Sequence, residues 1–167
     1  MDDALLVIDV LNDFRHDGGD RLLASFRERS SGLIAALDAA RTKRVPVVYV
    51  NDSYGDWRGD RASLLERAVL SDLAPREDEP LIFKPRYSAF DHTALELLLR
   101  ELGVERLLLA GGSTEGCIVQ SGIDARELGF KVTILAEACA TVDEEREAIA
   151  LRYAESVAGI YLAKSHA

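Results

Sequence analysis

Three residues of this sequence have side chains that together could activate a sulfur nucleophile. Asp9, Lys84 and Cys117 each close or follow an apolar run. A carboxylate can accept the proton of a thiol, and an ammonium group beside the sulfur stabilises the thiolate. The three residues therefore have the chemistry of a nucleophilic hydrolase if the fold brings their side chains together.

Cys117 is predicted to lie in the first turn of a helix. The apolar run 106–110 is typical of a buried strand, Gly111 and Gly112 end it, and apolar residues recur at helical spacing over 118–128. A helix N-terminus favours an anion, and hence the thiolate over the thiol. It contributes only about 0.3–1 kcal/mol, whereas lowering a pKa by one unit takes about 1.4 kcal/mol. A base or a cation must therefore lie beside the sulfur.

Apolar runs alternate with amphipathic segments along the whole chain, and this alternation predicts an α/β fold. We expect a three-layer α-β-α domain over residues 1–167 with a six-stranded, mostly parallel, doubly wound sheet. The predicted strands are 4–10, 45–50, 81–83, 106–110, 131–135 and 159–162. The predicted helices are 22–42, 61–71, 91–102 with Asp91 as its cap, 118–128 and 143–157.

Ligands of such sheets bind beyond the carboxyl ends of the strands. Asp9 closes the first predicted strand, Lys84 follows the third and Cys117 follows the fourth, so we expect the three side chains to converge at one edge. Two of them have simpler explanations, since Asp9 could bond loop backbone groups and Lys84 could be a solvated strand end.

The same loops contain aromatic and cationic residues that could form a substrate pocket. Aromatic rings can wall a planar ligand, and arginines can bind a carboxylate; ordinary packing and solvation are the alternatives. Asp13 fits a loop turn better, His16 a solvated loop, and Cys139 a small core residue. The candidate pocket residues are Phe14, Tyr54, Trp57, Arg58, Arg86, Tyr87 and Phe90.

Composition narrows the class of partner. The chain has 167 residues, 48% of them hydrophobic, and a formal net charge of −9, which disfavours binding to nucleic acid or anionic membranes. The three histidines show no metal-ligand spacing, so we expect no metal and no cofactor. The acidic start of the chain is unlike a signal peptide, and we expect a cytoplasmic enzyme with a small, anionic substrate.

Three segments together resemble the isochorismatase-like cysteine hydrolases, a family that includes nicotinamidases and N-carbamoylsarcosine amidases. Residues 5–14 resemble the family's D-x-Q-N-D-F opening, and residues 84–90 its K-x-x-x-S-A-F segment. Residues 112–118 resemble its G-x-x-T-[DE]-x-C-[VI] nucleophile loop. The resemblance spans almost the whole chain, and the three motifs occur in the family's order.

The resemblance implies a role for each residue of the trio. Cys117 would be the nucleophile, Asp9 the base that takes its proton, and Lys84 the supporting cation. It also implies a cis peptide between Gly112 and Ser113, an oxyanion hole formed by the backbone N–H groups of Ser113 and Cys117, and a homo-oligomer. The implied reaction is cleavage of a small amide at its C–N bond through a thioester.

The sequence departs from the family pattern at two places. Leu11 stands where the family often has glutamine, and segment 51–58 lacks the histidines with which nicotinamidases hold a metal. A metal-dependent nicotinamidase is therefore disfavoured. Isochorismatase members cleave a vinyl ether without a cysteine, and this reaction remains the alternative to amide hydrolysis.

Two non-enzymatic functions fit the same architecture. One is a receiver or sensor domain in which Asp9 and Asp13 form an acidic pocket, Lys84 is the switch contact and Asp52 accepts a phosphoryl group. The other is a binding module in which residues 111–114 cradle a phosphate at a helix N-terminus. No lysine follows the glycines as it does in a P-loop, which argues against this second module.

Overall fold

The computed structural model describes residues 3–55 and 59–163. Its strands are β1 (Asp3–Ile8), β2 (Val47–Asp52), β3 (Leu81–Lys84), β4 (Arg106–Gly112), β5 (Lys131–Ala140) and β6 (Tyr161–Ala163). Its α-helices are α1 (Gly19–Glu28), α2 (Ser30–Thr42), α3 (Arg61–Arg67), α4 (Leu95–Glu101), α5 (Val119–Glu127) and α6 (Glu144–Ser156). A 3₁₀ turn, Ser71–Leu73, precedes β3, and a π-helical turn, Thr114–Ile118, precedes α5.

The six strands form one sheet in the order β3-β2-β1-β4-β5-β6, and neighbouring strands are parallel throughout. The predicted parallel α/β sheet is thus confirmed. From β1 the chain first adds strands on one side and then returns to add β4, β5 and β6 on the other. The order therefore reverses between β1 and β4, and their carboxyl ends flank the crevice where ligands of such sheets bind.

Helices cover both faces of the sheet because successive side chains of a buried strand point to opposite sides. Leu5 and Val7 pack with side chains of α1, α2 and α3, whereas Leu6 and Ile8 pack with side chains of α4, α5 and α6. Both faces are apolar, so the central strands β1 and β4 are apolar after their first residues, Asp3 and Arg106. In these central strands, the polar side chains therefore lie at the strand ends.

The predicted helix 22–42 is wrong in one respect, since it is two helices that meet at Arg29. The guanidinium of Arg29 donates to the backbone oxygen of Cys139 at 2.8 Å and to the carboxylate of Glu147. These partners lie more than a hundred residues away, so no local pattern announces the break. Ser30 and Gly32, which are poor helix formers, are the local sign of it.

Three other boundaries differ by four residues or more from those predicted. The helix expected over 61–71 ends at Arg67, because the backbone of Ala68 is already extended. The helix expected over 91–102 begins at Leu95, because the hydroxyl of Thr93 rather than Asp91 accepts from a backbone N–H of the first turn, that of Leu95, at 3.3 Å. Strand β5 continues to Ala140, beyond the predicted end at 135, after a register shift against β4. In the described part of the chain, no helix is long and apolar enough to cross a membrane.

Candidate active site

Asp9 and Cys117 lie on either side of the crevice between β1 and β4. Asp9 directly follows β1 and has a left-handed φ of 55°, a conformation that aspartate tolerates better than most residues. Its backbone N–H still donates to the oxygen of Val50 at 3.0 Å, which keeps it in register with β2. Cys117 lies in the π-helical turn after β4, where the N–H of Ile118 donates to the oxygen of Ser113 at 3.1 Å.

Lys84 joins the two groups although its strand, β3, is two strands away from β1. Its side chain is fully buried, and Nζ lies 2.9 Å from Asp9 Oδ2 and 3.4 Å from Cys117 Sγ. Nζ also donates to the backbone oxygen of Arg86 at 2.9 Å and lies 3.7 Å from Asp52 Oδ2. A long, flexible side chain is needed to cross the end of β2. We call Asp9, Lys84 and Cys117 the DKC cluster.

The Asp9 carboxylate is held at both oxygens. Oδ1 accepts from the backbone N–H of Asp52 at 2.7 Å, and Oδ2 accepts from Lys84. The thiol of Cys117 lies close enough to this carboxylate to lower its pKa. Asp9 is 6% exposed and Cys117 is 9% exposed, so both are nearly excluded from water. A carboxylate so placed is oriented to receive the proton of the sulfur.

The loop before Cys117 contains a cis peptide bond between Gly112 and Ser113. Its glycines are required by close packing. A Cβ at Gly111 would lie 2.0 Å from the backbone oxygen of Ile8, and one at Gly112 would lie 2.8 Å from the ring of Phe26. The glycines thus serve contacts with β1 and α1, which argues against the phosphate-cradle interpretation of residues 111–114.

Burial has the largest influence on the pKa of each group of the DKC cluster, and it disfavours the charged form of each group. Burial raises the pKa of Asp9, although the charge of Lys84 opposes the shift. Burial and then the negative charge of Asp9 raise the pKa of the Cys117 thiol, against the influence of Lys84. For Lys84, burial lowers the pKa, but neighbouring negative groups, Asp9 first among them, outweigh burial and the pKa is raised.

The raised pKa of Cys117 favours a neutral thiol in the resting site. The distance of 2.9 Å between Asp9 Oδ2 and Lys84 Nζ favours an ion pair beside it, against the burial that raises the pKa of Asp9. The expectation that the helix N-terminus and Lys84 together favour a thiolate is wrong for the resting site, because burial and a neighbouring carboxylate act more strongly on the pKa of Cys117. The other cysteine, Cys139, is fully buried, and burial raises its pKa to about 12.

A cavity of about 750 Å³ opens onto Asp9 and Cys117. Two of the predicted pocket residues, Tyr54 and Tyr87, line it, and both are exposed at its mouth. Ser113, a predicted oxyanion-hole residue, also lines it. The volume falls within the range of about 300–1,000 Å³ that is typical of small-molecule sites.

The structure places three other predicted pocket residues away from this cavity. Phe14 is buried in the core, where its ring meets that of Phe26 edge-on with 5.9 Å between centroids. Phe90 packs against Phe130, and the guanidinium of Arg86 pairs with Asp91 at 3.0 Å. The remaining two, Trp57 and Arg58, lie outside the described residues.

One wall of the cavity has no counterpart among the residues predicted from the sequence. Helix α6 contributes Arg146, Ile149 and Tyr153, whose spacing of three and four residues places them on one face. That spacing is visible in the sequence, but nothing local indicates that the face lines a site. His16, expected to be solvated, also lines the cavity and stacks on Tyr54 with 6.3 Å between ring centroids.

A metal site or a receiver domain would need metal ligands or a phosphoryl acceptor at the same edge. Within residues 3–55 and 59–163, no group of three or more histidine, cysteine or acidic side chains is arranged to hold a metal ion. Asp52, the candidate phosphoacceptor, accepts from the backbone N–H of Tyr54 at 2.6 Å and lies beside Lys84. Its carboxylate is thus engaged in shaping the cavity mouth.

Comparison with known proteins gives matches along nearly the full chain. Residues 3–164 match the family described as "Isochorismatase domain". The uncharacterized isochorismatase family protein YaaI of Bacillus subtilis is 29% identical over 163 residues, covering 93% of this chain and 90% of that protein. A probable inactive nicotinamidase of Arabidopsis thaliana, At3g16190, is 31% identical over 162 residues, covering 85% and 82%. Other relatives are named maleamate and ureidoacrylate amidohydrolases.

A similar solved structure is the nicotinamidase/pyrazinamidase PncA of Bacillus subtilis. Its TM-score is 0.76 and its identity 27%, with 98% of this chain and 100% of that chain covered. The match therefore includes the whole sheet and the helices on both of its faces.

Proposed function

We propose that this chain, which belongs to the isochorismatase family of hydrolases, hydrolyses the C–N bond of a small amide. The observation that carries the proposal is the meeting of Asp9, Lys84 and Cys117 beside a cavity of ligand size. Relatives named as nicotinamidase and as amidohydrolases support an amide substrate. The sulfur in the cavity supports it further, since vinyl ether cleavage needs no such group.

In the first half of the proposed reaction, Cys117 Sγ attacks the carbonyl carbon of the amide while Asp9 takes the thiol proton. The carbonyl oxygen becomes an oxyanion, which the backbone N–H groups of Ser113 and Cys117 stabilise. Asp9 then gives its proton to the leaving nitrogen, the C–N bond breaks, and the amine or ammonia departs. The acyl group remains on the sulfur as a thioester.

In the second half, Asp9 accepts a proton from a water molecule as the water oxygen attacks the thioester carbon. The C–S bond then breaks, the proton returns from Asp9 to the sulfur, and the carboxylic acid product leaves. Lys84 keeps its positive charge throughout and holds Asp9 in place, 2.9 Å from its ammonium group. The site returns to a thiol beside an ion pair.

We propose in addition that the substrate bears a negative charge, which Arg146 binds. Arg146 is the arginine that lines the cavity within the described residues, and its guanidinium lies 3.9 Å from Asp143, too far for a direct hydrogen bond. Acidic side chains also line the cavity, namely Asp9, Asp17, Asp52 and Glu115. Lys84 neutralises Asp9 and also lies 3.7 Å from Asp52. The carboxylate of Glu115 is bonded by the hydroxyl of Thr141 and a backbone N–H.

The test is a screen for ammonia release over small amides that includes nicotinamide, which is neutral, and maleamate, which carries a carboxylate. The wild-type protein should release ammonia from at least one amide, and the Cys117→Ser variant from none. Ammonia release that survives Cys117→Ser, or vinyl ether cleavage without amide cleavage, would exclude the thioester route.

The role of Arg146 is tested on the same pair of amides. Loss of a charge-assisted hydrogen bond costs about 1.5–3 kcal/mol, which is about a 10- to 100-fold rise in KM. Arg146→Gln should raise KM by this factor for the anionic amide and leave KM for the neutral amide within about twofold. An equal rise for both amides would show that Arg146 does not recognise charge.

A further inference from the structure

A nearly buried ion pair lies directly behind the turn that carries Cys117. Arg29 binds Glu147 with both arms of its guanidinium, at 2.6 Å to Oε1 and 2.9 Å to Oε2, and Glu147 is 8% exposed. The hydroxyl of Thr114, the first residue of the π-helical turn, lies 2.8 Å from Glu147 Oε1. A single hydrogen bond therefore joins the ion pair to the turn that carries Cys117.

The pair connects the turn to three other parts of the fold. Arg29 lies at the junction of α1 and α2 and also donates to the oxygen of Cys139 on β5 at 2.8 Å. Glu147 is in the first half of α6, the helix that lines the cavity with Arg146. Thr114 is fully buried, and its hydroxyl also lies 3.1 Å from the oxygen of Ala140, the last residue of β5.

Stability is a weak explanation for such a pair. Burying two charges costs desolvation that their attraction only partly repays, and apolar replacements of buried ion pairs are often as stable. Geometry explains it better. The backbone N–H of Cys117 and the thiol must both face the reacting carbonyl, and misplacing catalytic groups by about 1 Å can reduce a rate by about 100-fold.

We propose that Glu147, held by Arg29, is a positioning residue that fixes Thr114 and thereby the turn that carries Cys117. The kinetic part of this proposal rests on the proposed amide hydrolysis. Alkylation of Cys117 by iodoacetamide does not depend on any substrate, so it tests the positioning of the sulfur separately.

The structure offers a matched control for Glu147. Glu79 is also 8% exposed, and Arg41 binds both of its oxygens at 2.8 Å, but this pair joins α2 to the segment before β3, away from the nucleophile turn. Glu147→Gln and Glu79→Gln should therefore lower the melting temperature by similar amounts. Only Glu147→Gln should lower kcat, by about 10- to 100-fold, with KM within about threefold.

Alkylation should separate the same two variants. A loosened turn exposes the sulfur and moves it away from Asp9, and burial and Asp9 are the two main causes of its raised pKa. The pH midpoint of Cys117 alkylation should therefore fall in Glu147→Gln and stay at the wild-type value in Glu79→Gln. Equal midpoints and equal kcat in the two variants would overturn the proposal and leave Glu147 a structural residue. If the wild type cleaves no amide, the alkylation midpoints alone decide.

A second pair of variants addresses the case in which Glu147→Gln does not fold. Thr114→Val removes the hydroxyl while leaving the ion pair intact, and Thr114→Ser keeps the hydroxyl. Thr114→Val should reproduce the fall in kcat and the lowered alkylation midpoint, and Thr114→Ser should restore both wild-type values. Wild-type behaviour of a folded Thr114→Val would equally overturn the proposal.

Discussion

Replacing Asp9 with asparagine should make Cys117 more acidic and yet abolish turnover. After burial, the negative charge of Asp9 is the second-largest cause of the raised pKa of the Cys117 thiol. Asparagine has nearly the same shape and no charge. In Asp9→Asn, a Cys117 thiolate would be the negative group that pairs with the ammonium of Lys84, so the pKa of Cys117 should fall.

The size of the shift follows from the geometry. The Asp9 oxygen and the Cys117 sulfur lie 2.9 Å and 3.4 Å from the same nitrogen, so they are at most about 6.3 Å apart. Two like unit charges at that distance repel by about 2.6 kcal/mol at an effective dielectric constant of about 20. This energy corresponds to about 2 pKa units, so the alkylation midpoint should fall by at least about that much.

The assay is the rate of iodoacetamide labelling of Cys117 as a function of pH, read by mass spectrometry of the intact protein. Cys117→Ser reports any labelling of Cys139, which is fully buried. Asp13→Asn is the matched control, because Asp13 lies in the same loop and its carboxylate bonds the backbone N–H of Arg15 instead of Lys84. Asp13→Asn should keep the wild-type midpoint.

Two results would refute the reasoning. An unchanged or raised midpoint in Asp9→Asn would mean that the carboxylate does not hold the sulfur in its neutral form. Full turnover by Asp9→Asn would mean that another group accepts the thiol proton. The expected combination, a more reactive sulfur in an inactive enzyme, separates the formation of the thiolate from the proton transfers of the proposed reaction.

Three further predictions concern the sulfur, the ammonium group and the loop. Cys117→Ser should lower the rate of ammonia release by about 10⁴-fold or more with an unchanged melting temperature. Ammonia release by this variant at a rate near that of the wild type would contradict the nucleophile assignment. Lys84→Met should lower the free energy of unfolding in urea by about 3–5 kcal/mol, because it leaves Asp9 buried without its partner; a loss below about 1 kcal/mol would contradict this. Gly111→Ala should prevent folding, since the new Cβ would lie 2.0 Å from a backbone oxygen of β1, whereas Gly103→Ala, with nothing within 4 Å, should fold and melt only slightly earlier.

The sequence was sufficient to predict the sheet and the convergence of the DKC cluster. Both follow from rules that depend on the order of elements: apolar runs that alternate with helices form parallel sheets, and the carboxyl ends of parallel strands share an edge. Asp9, Lys84 and Cys117 each occupy such an end, so topology alone brings them together. The resemblance to a known family added their roles.

The contacts across the sheet could not be predicted in the same way. Arg29 breaks a helix because Cys139 and Glu147 accept its hydrogen bonds from distant parts of the chain. The face of α6 that carries Arg146 has the spacing of any amphipathic helix, and only the packed structure turns it toward the cavity. Phe14 occupies a loop position from which a side chain could contact a ligand, but its ring packs in the core beside Phe26.

The direction of the Cys117 pKa also depends on the packed structure, and it bears on the proposed chemistry. A thiolate beside an ionised Asp9 would leave a net negative charge in a site nearly closed to water, which burial makes costly. Passing the proton from Cys117 to Asp9 keeps the net charge of the DKC cluster at zero, with Lys84 beside whichever group is negative. The same burial that holds the resting sulfur neutral therefore adds little to the cost of this internal transfer, and the transfer can accompany the attack on the substrate carbonyl.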